Sequence, residues 1–94
     1  MYLLPYNKIM KNVEIYTGPR CIFCNWAKEL LVKKKVSFKE IYIGDNPNKM
    51  EEMMKRANGM KTVPQIFIDG QHIGGNDKLQ SLERKGELNS LLGL

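Results

Sequence analysis

The sequence has few of the residues on which small domains usually depend. Its 94 residues include two cysteines, three positions apart, one histidine and one tryptophan. Two cysteines exclude a disulfide framework of the kind that staples small secreted domains. Cys21, Cys24 and His72 fall one ligand short of the four a structural zinc takes, and no second CxxC completes the set, so no metal site is expected. No apolar run approaches the roughly 18 residues of a membrane span, and Met1 to Ile9 is too short for a secretory signal. A membrane role is therefore not expected. A cytoplasmic location is, where thiols stay reduced unless they are catalytic.

The formal net charge of +5 is not matched by a nucleic-acid motif. Basic residues are spread along the chain, and the densest run, Lys33 to Lys35, falls at an expected helix end, where it suits the helix dipole and is solvated. No nucleic-acid partner is expected. The charge fits modest steering of small anions.

Val13 and Ile15, with Glu14 and Tyr16, form a short strand pattern that stops at Thr17-Gly18-Pro19. From Ile22 to about Lys35 the apolar residues Phe23, Ala27, Leu30 and Leu31 recur at helical spacing, which puts Cys21 at the head of a helix. Phe38, Ile41 and Ile43 give a second strand, parallel to the first because a helical crossover joins them. Asp45 and Asn46 are candidate caps of a second helix opening at Pro47, with Met50, Met53, Met54 and Ala57 as its apolar stripe and Gly59 as its stop. Gln65 to Ile68 and Gln71 to Ile73 are strands joined by Asp69-Gly70, a turn whose two positions need positive φ. After Gly74-Gly75, Asn76 can cap a third helix bearing Leu79 and Leu82. A short last helix spans Leu88 to Leu92.

The order β-α-β-α-β-β-α predicts one α/β domain, a mixed four-stranded sheet flanked by helices. Met10 stands just before the first strand, so residues 1–9 read as an N-terminal extension and 10–94 as the domain. A domain of this size buries only roughly two-thirds of its unfolded surface, so the core is thin.

The chemistry is concentrated at Cys21 and Cys24. A spacing of three at a helix start puts both sulfurs on one side of one turn, near the separation a disulfide needs. The reactive species is the thiolate. Free N–H groups at a helix N-terminus, and the adjacent Arg20, stabilise it, which in such sites lowers a Cys pKa from about 8.5 to roughly 3.5–7.5. Cys24, deeper in the helix, stays protonated. A CxxC after the first strand of a βαβ unit reads as a thioredoxin-like redox motif, and the plainer reading is half a zinc site or two buried thiols.

Two further segments each have two readings. Pro64 in Thr62-Val63-Pro64 is a strand-start proline whose isomer the sequence does not decide. Gly75, Asn76 and Asp77 form either a plain turn and cap or a helix N-terminus that receives a carboxylate, with Asp77 placed to pair with an amine. His72 and Trp26 read as structural residues, the first partly exposed on a hairpin strand and the second packed near the helix start.

The segments NVEIYTGPRCIFC, KVSFKEIYI, TVPQIFIDGQHIGG and NDKL together resemble the glutaredoxin family, above all its small bacterial dithiol members, from Met10 to the C-terminus. The resemblance implies a thioredoxin fold with Pro64 cis and facing the cysteine pair. It also implies a glutathione-dependent thiol-disulfide oxidoreductase with Cys21 as nucleophile and Cys24 as resolving thiol. Glutathione, the co-substrate, would lie along the Val63 backbone with its γ-glutamyl end at Gly75, Asn76 and Asp77. Phe23 and Thr62 would line the groove, and Arg20 would reach a carboxylate. Partners would be glutathione and glutathionylated or disulfide-containing proteins, met by a monomer.

Four positions depart from the family pattern. Ile22 and Phe23 stand where Pro-Tyr is usual, Gly18 replaces a basic residue, Asn76 replaces a third cysteine of some relatives, and Lys78 replaces a second acid. Loss of the proline between the cysteines is shared with relatives that hold a [2Fe-2S] cluster between two monomers through Cys21 and glutathione, which is the alternative reading. A thioredoxin-like reductase that does not use glutathione is another.

Overall fold

The computed structural model describes residues 11–94. Residues 1–10, and with them the expected N-terminal extension, lie outside the described residues. The elements follow the expected order: β1 (Val13–Thr17), α1 (Ile22–Lys33), β2 (Lys39–Tyr42), α2 (Pro47–Arg56), β3 (Gln65–Ile68), β4 (Gln71–Gly74), α3 (Asn76–Arg84) and α4 (Leu88–Leu92). One sheet runs β2-β1-β3-β4, with β1 parallel to β2 and β3 antiparallel to both β1 and β4. No described helix is long and apolar enough to cross a membrane.

Alternation along the central strands divides the core in two. Val13 and Ile15 of β1 and Ile66 and Ile68 of β3 face α1, α3 and α4, meeting Ala27, Leu31, Leu79 and Leu88. Tyr16 and Phe67 point to the opposite face, against Met53 and Ala57 of α2 and its C-terminal cap. All four residues of β3 are buried, as a strand at the centre of a covered sheet must be. Of the methionine stripe, Met53 alone is fully buried.

The α2 face also carries a polar cluster. The Tyr16 hydroxyl donates to Glu52 at 2.5 Å and accepts from Arg56 at 2.8 Å. Arg56 donates to both carboxylate oxygens of Glu14, at 2.7 and 3.3 Å, and its guanidinium lies 4.1 Å from the Phe67 ring centroid. Burial is the largest cause raising the Tyr16 pKa, and the bond to Glu52 adds to it.

Several local expectations need correction. Asn46, not Asp45, caps α2, its side chain accepting from the Lys49 N–H at 3.2 Å. Asp45 instead takes a left-handed φ of 57°. Helix α1 ends at Lys33, and Lys34 is not merely solvated, because its ammonium bonds Asn89 at 2.7 Å and Glu83 at 2.5 Å. Gly75 is the cap residue of α3 and Asn76 its first helical residue, so Asn76 does not cap. Its Oδ1 accepts from Gln80 one turn on, at 3.1 Å. The Asp69-Gly70 turn is as expected, with φ of 52° and 78°.

Candidate active site

The topology brings three distant segments together. Antiparallel pairing of β1 with β3 sets Tyr16 opposite Gln65, so the loop leaving β1 toward Cys21 lies beside the segment entering β3. Pairing of β3 with β4 sets Ile66 opposite Gly74, so the chain leaving β4 returns to the same end of the sheet. A Cβ on Gly75 would sit 3.4 Å from the Pro64 carbonyl oxygen, which measures how closely these two segments approach.

Cys21 is the N-cap of α1. Its backbone is extended (φ −114°, ψ 97°), its carbonyl takes the bond from Asn25 N–H, and its sulfur accepts the Cys24 N–H at 3.1 Å. Sulfur thus occupies the role usually filled by a serine or aspartate oxygen. The first turn of α1 holds no acidic residue to compete for the positive end of the dipole. Cys21 is partly exposed, Cys24 is 2% exposed, and the two are joined as a disulfide with Cα atoms 5.2 Å apart, within the range such a bond requires. The structure thus holds the pair in its oxidised form.

The Val63-Pro64 bond is cis, and the Val63 carbonyl oxygen lies 3.6 Å from Cys21 Sγ. Gly18 fits closely in this neighbourhood, since a Cβ there would come within 3.2 Å of Val63 Cγ2. From Val63 a groove of about 470 Å³ runs to the head of α3. Phe23, Thr62, Val63, Pro64, Gly75, Asn76 and Asp77 all line it. Arg20, with a left-handed φ of 49°, is exposed and does not. Trp26 is not packed away as expected. It is 46% exposed, edge-on to Phe23 with ring centroids 5.4 Å apart.

Gln65 and His72, which no sequence pattern places in a site, also line the groove. The Gln65 amide nitrogen lies 3.0 Å from the Thr62 carbonyl oxygen and 3.3 Å from its hydroxyl, and its oxygen is 2.7 Å from His72 Nε2. The available signal was an amide inside an otherwise apolar strand, QIFI.

Among the described residues, one chain does not by itself supply all the ligands of a cluster. Cys21 is the only partly exposed sulfur of the pair, and the described residues contain no group of three His, Cys, Asp or Glu side chains placed to hold a metal.

The glutaredoxin family model matches residues 13–73. The chain belongs to the glutaredoxin family. It is 57% identical over 83 residues to glutaredoxin 3 of Escherichia coli K12, covering 88% of this chain and 99% of that protein. Among solved structures it resembles a glutaredoxin from Brucella melitensis, with 46% identity, 89% and 90% of the two chains covered and a TM-score of 0.78. A buckwheat glutaredoxin-glutathione complex superposes with a TM-score of 0.76 at 26% identity, over 87% of this chain and 76% of that one. The thioredoxin fold and the Cys21-Cys24 pair make this glutaredoxin a thiol-disulfide oxidoreductase.

Proposed function

We propose that the protein reduces glutathione mixed disulfides and protein disulfides at the expense of glutathione, with Cys21 as nucleophile and Cys24 as resolving thiol. The observation that carries this reading is the Cys24 N–H aimed at the Cys21 sulfur from the head of α1. A donor fixed there stabilises the thiolate more than the neutral thiol, because an ionised acceptor makes the stronger hydrogen bond.

The Cys21 thiolate attacks the glutathione sulfur of a mixed disulfide. The bond from that sulfur to the partner breaks, the partner leaves as thiolate, and Cys21 carries glutathione. A second glutathione thiolate attacks the same glutathione sulfur, releasing glutathione disulfide and restoring Cys21. With a protein disulfide, Cys21 first forms the mixed disulfide. Cys24 then loses its proton and attacks the Cys21 sulfur, the bond from Cys21 to the substrate sulfur breaks, the substrate leaves as its thiolate, and the oxidised pair seen here remains. Two molecules of glutathione reduce it.

Glutathione binding in the groove is supported by its lining. The Val63 backbone offers a strand-like edge to the cysteinyl unit, the N-terminus of α3 suits the γ-glutamyl carboxylate, and the exposed Asp77 suits its ammonium. The buckwheat relative solved with glutathione supports the choice of thiol. Arg20, which flanks Cys21 in sequence, is assigned to steering the anion rather than to the groove. The working unit is residues 10–94, a monomer in a reducing cytoplasm, with 1–9 as an extension.

The test is turnover of a glutathionylated peptide with glutathione, coupled to glutathione reductase. Cys21→Ser is expected to abolish it and Cys24→Ser to spare it, while both lose protein-disulfide reduction. Equal loss of the first activity in both variants, or no dependence on glutathione, would defeat the proposal.

A further inference from the structure

We infer that His72 is a positioning residue for the substrate groove, acting through the buried Gln65 amide on Thr62 and Val63, an assignment that rests on the glutathione reading above. Gln65 is 0% exposed at the start of the central strand. A buried amide has two N–H donors and an accepting oxygen to satisfy. Its nitrogen faces the carbonyl and hydroxyl oxygens of Thr62. A carbonyl only accepts, so the amide has one allowed orientation, with its oxygen toward His72 Nε2 at 2.7 Å. That oxygen also only accepts, so Nε2 carries the hydrogen. The Thr62 carbonyl therefore fixes the orientation of Gln65, and Gln65 fixes the tautomer of His72.

The far end of this chain of bonds is anchored. His72 pairs across the sheet with Phe67, and their rings lie 5.0 Å apart at 34°. Phe67 in turn lies under the Arg56 guanidinium. The near end is the segment that needs anchoring. Residues 61–64 belong to no strand or helix, Thr62 is exposed, and Val63 presents the backbone on which the thiol substrate is to lie beside Cys21. Among the described residues, the Gln65 amide is the side chain that holds Thr62. Without the His72 donor, the Gln65 oxygen would be buried and unpaired. The amide would then turn to seek another partner and release Thr62. Substrate binding should suffer and the nucleophile should not, because Cys21 takes its hydrogen bond from α1.

The experiment uses the full chain, a glutathionylated peptide and glutathione. His72→Phe keeps an aromatic ring against Phe67 and removes the donor, whereas His72→Gln replaces Nε2 by an amide nitrogen of similar reach. Expected for His72→Phe is a rise of roughly fivefold to tenfold in KM for the glutathionylated peptide, the effect of one buried hydrogen bond. Its kcat should stay within about twofold and the alkylation rate of Cys21 should not change. His72→Gln should recover most of the affinity. An unchanged KM in His72→Phe, or equal impairment of both variants, would overturn the assignment. Nitrogen-resolved NMR of the wild type at a pH where the ring is neutral should find the hydrogen on Nε2. Finding it on Nδ1 would overturn the assignment without recourse to any variant. A wild type that ignores glutathione would instead sink the proposed function, whereas normal wild-type turnover with an indifferent His72→Phe sinks only the role of His72.

Discussion

The reactivity of Cys21 is assigned to one hydrogen bond, and that bond can be removed without touching the sulfur. Cys24 is the third residue of α1, and its N–H lies 3.1 Å from Cys21 Sγ. Proline is tolerated in a first helical turn, and at position 24 the carbonyl four residues back belongs to Arg20, outside the helix. Cys24→Pro thus deletes the donor, and Cys24→Ala is the reference that keeps it. Both lack the resolving thiol, so that thiol does not enter the difference between them. A hydrogen bond to a charged acceptor contributes about 1.5–3 kcal/mol. At about 1.36 kcal/mol per pH unit, the Cys21 pKa should be roughly one to two units higher in Cys24→Pro than in Cys24→Ala. The assay is the rate of alkylation by iodoacetamide as a function of pH, with far-ultraviolet circular dichroism on both variants to show that α1 persists. Coincident titration curves, with α1 intact in both, would refute the claim that this donor tunes the nucleophile.

Two further predictions concern the polar pairs that brace the sheet, at Arg56 and Glu52 on the α2 face and at Glu40 beside Lys28 of α1. Arg56→Met keeps an apolar stem over Phe67 but removes the paired bonds to Glu14, the donor to Tyr16 and the cation over the ring. The expected loss is about 2 kcal/mol, read as a fall of roughly 10 °C in the thermal midpoint, and a change below about 2 °C would remove the cluster from the stability of the fold. Acid stability follows from Glu52 and Glu40. The Tyr16 hydroxyl, then Lys49, holds Glu52 below the ordinary value of 4.5, and at Glu40 burial acts upward but is outweighed by Thr17 and Lys28. Because both carboxyls are depressed in the fold, the unfolded chain takes up protons first as pH falls. Their stabilisation is present above 4.5 and is lost as pH drops from there through the lower native values. Urea midpoints compared between neutral pH and about pH 3.5 should fall less for Glu52→Gln than for the wild type, and parallel falls would count against the Tyr16-Glu52 bond.

Much of this was legible in the residues. Periodicity gave each helix and strand because the apolar stripes of α1 and the paired β1 and β3 patterns are unambiguous, and Asp69-Gly70 admits little but a tight turn. Cap positions were less legible. Asn46 and Asp45 are equally good cap residues in isolation, and the choice followed from which backbone could enter α2 and which had to turn left-handed before it. Gly75 displaced Asn76 as the cap of α3 because Asn76 is 7% exposed and bonded to Gln80, a burial that no local pattern announces. The cis bond at Pro64 came from family resemblance, since X-Pro sequence alone does not select an isomer.

What the residues hid is the function of polarity within a buried strand. Gln65 looks like a fault in an apolar run, and in a sheet covered on both faces an unpaired amide would be one. Its position in the topology explains it. The start of β3 is where the strand pairs with β1 on one side and β4 on the other, so a side chain there reaches both the segment entering from Thr62 and the strand bearing His72. The loop of Cys21 and the head of α3 meet at that same end of the sheet. A residue at this junction is a sheet residue by its backbone and a site residue by its side chain. For that reason an apolar replacement such as Gln65→Leu, which fits the strand, should cost the groove its shape before it costs the fold its stability.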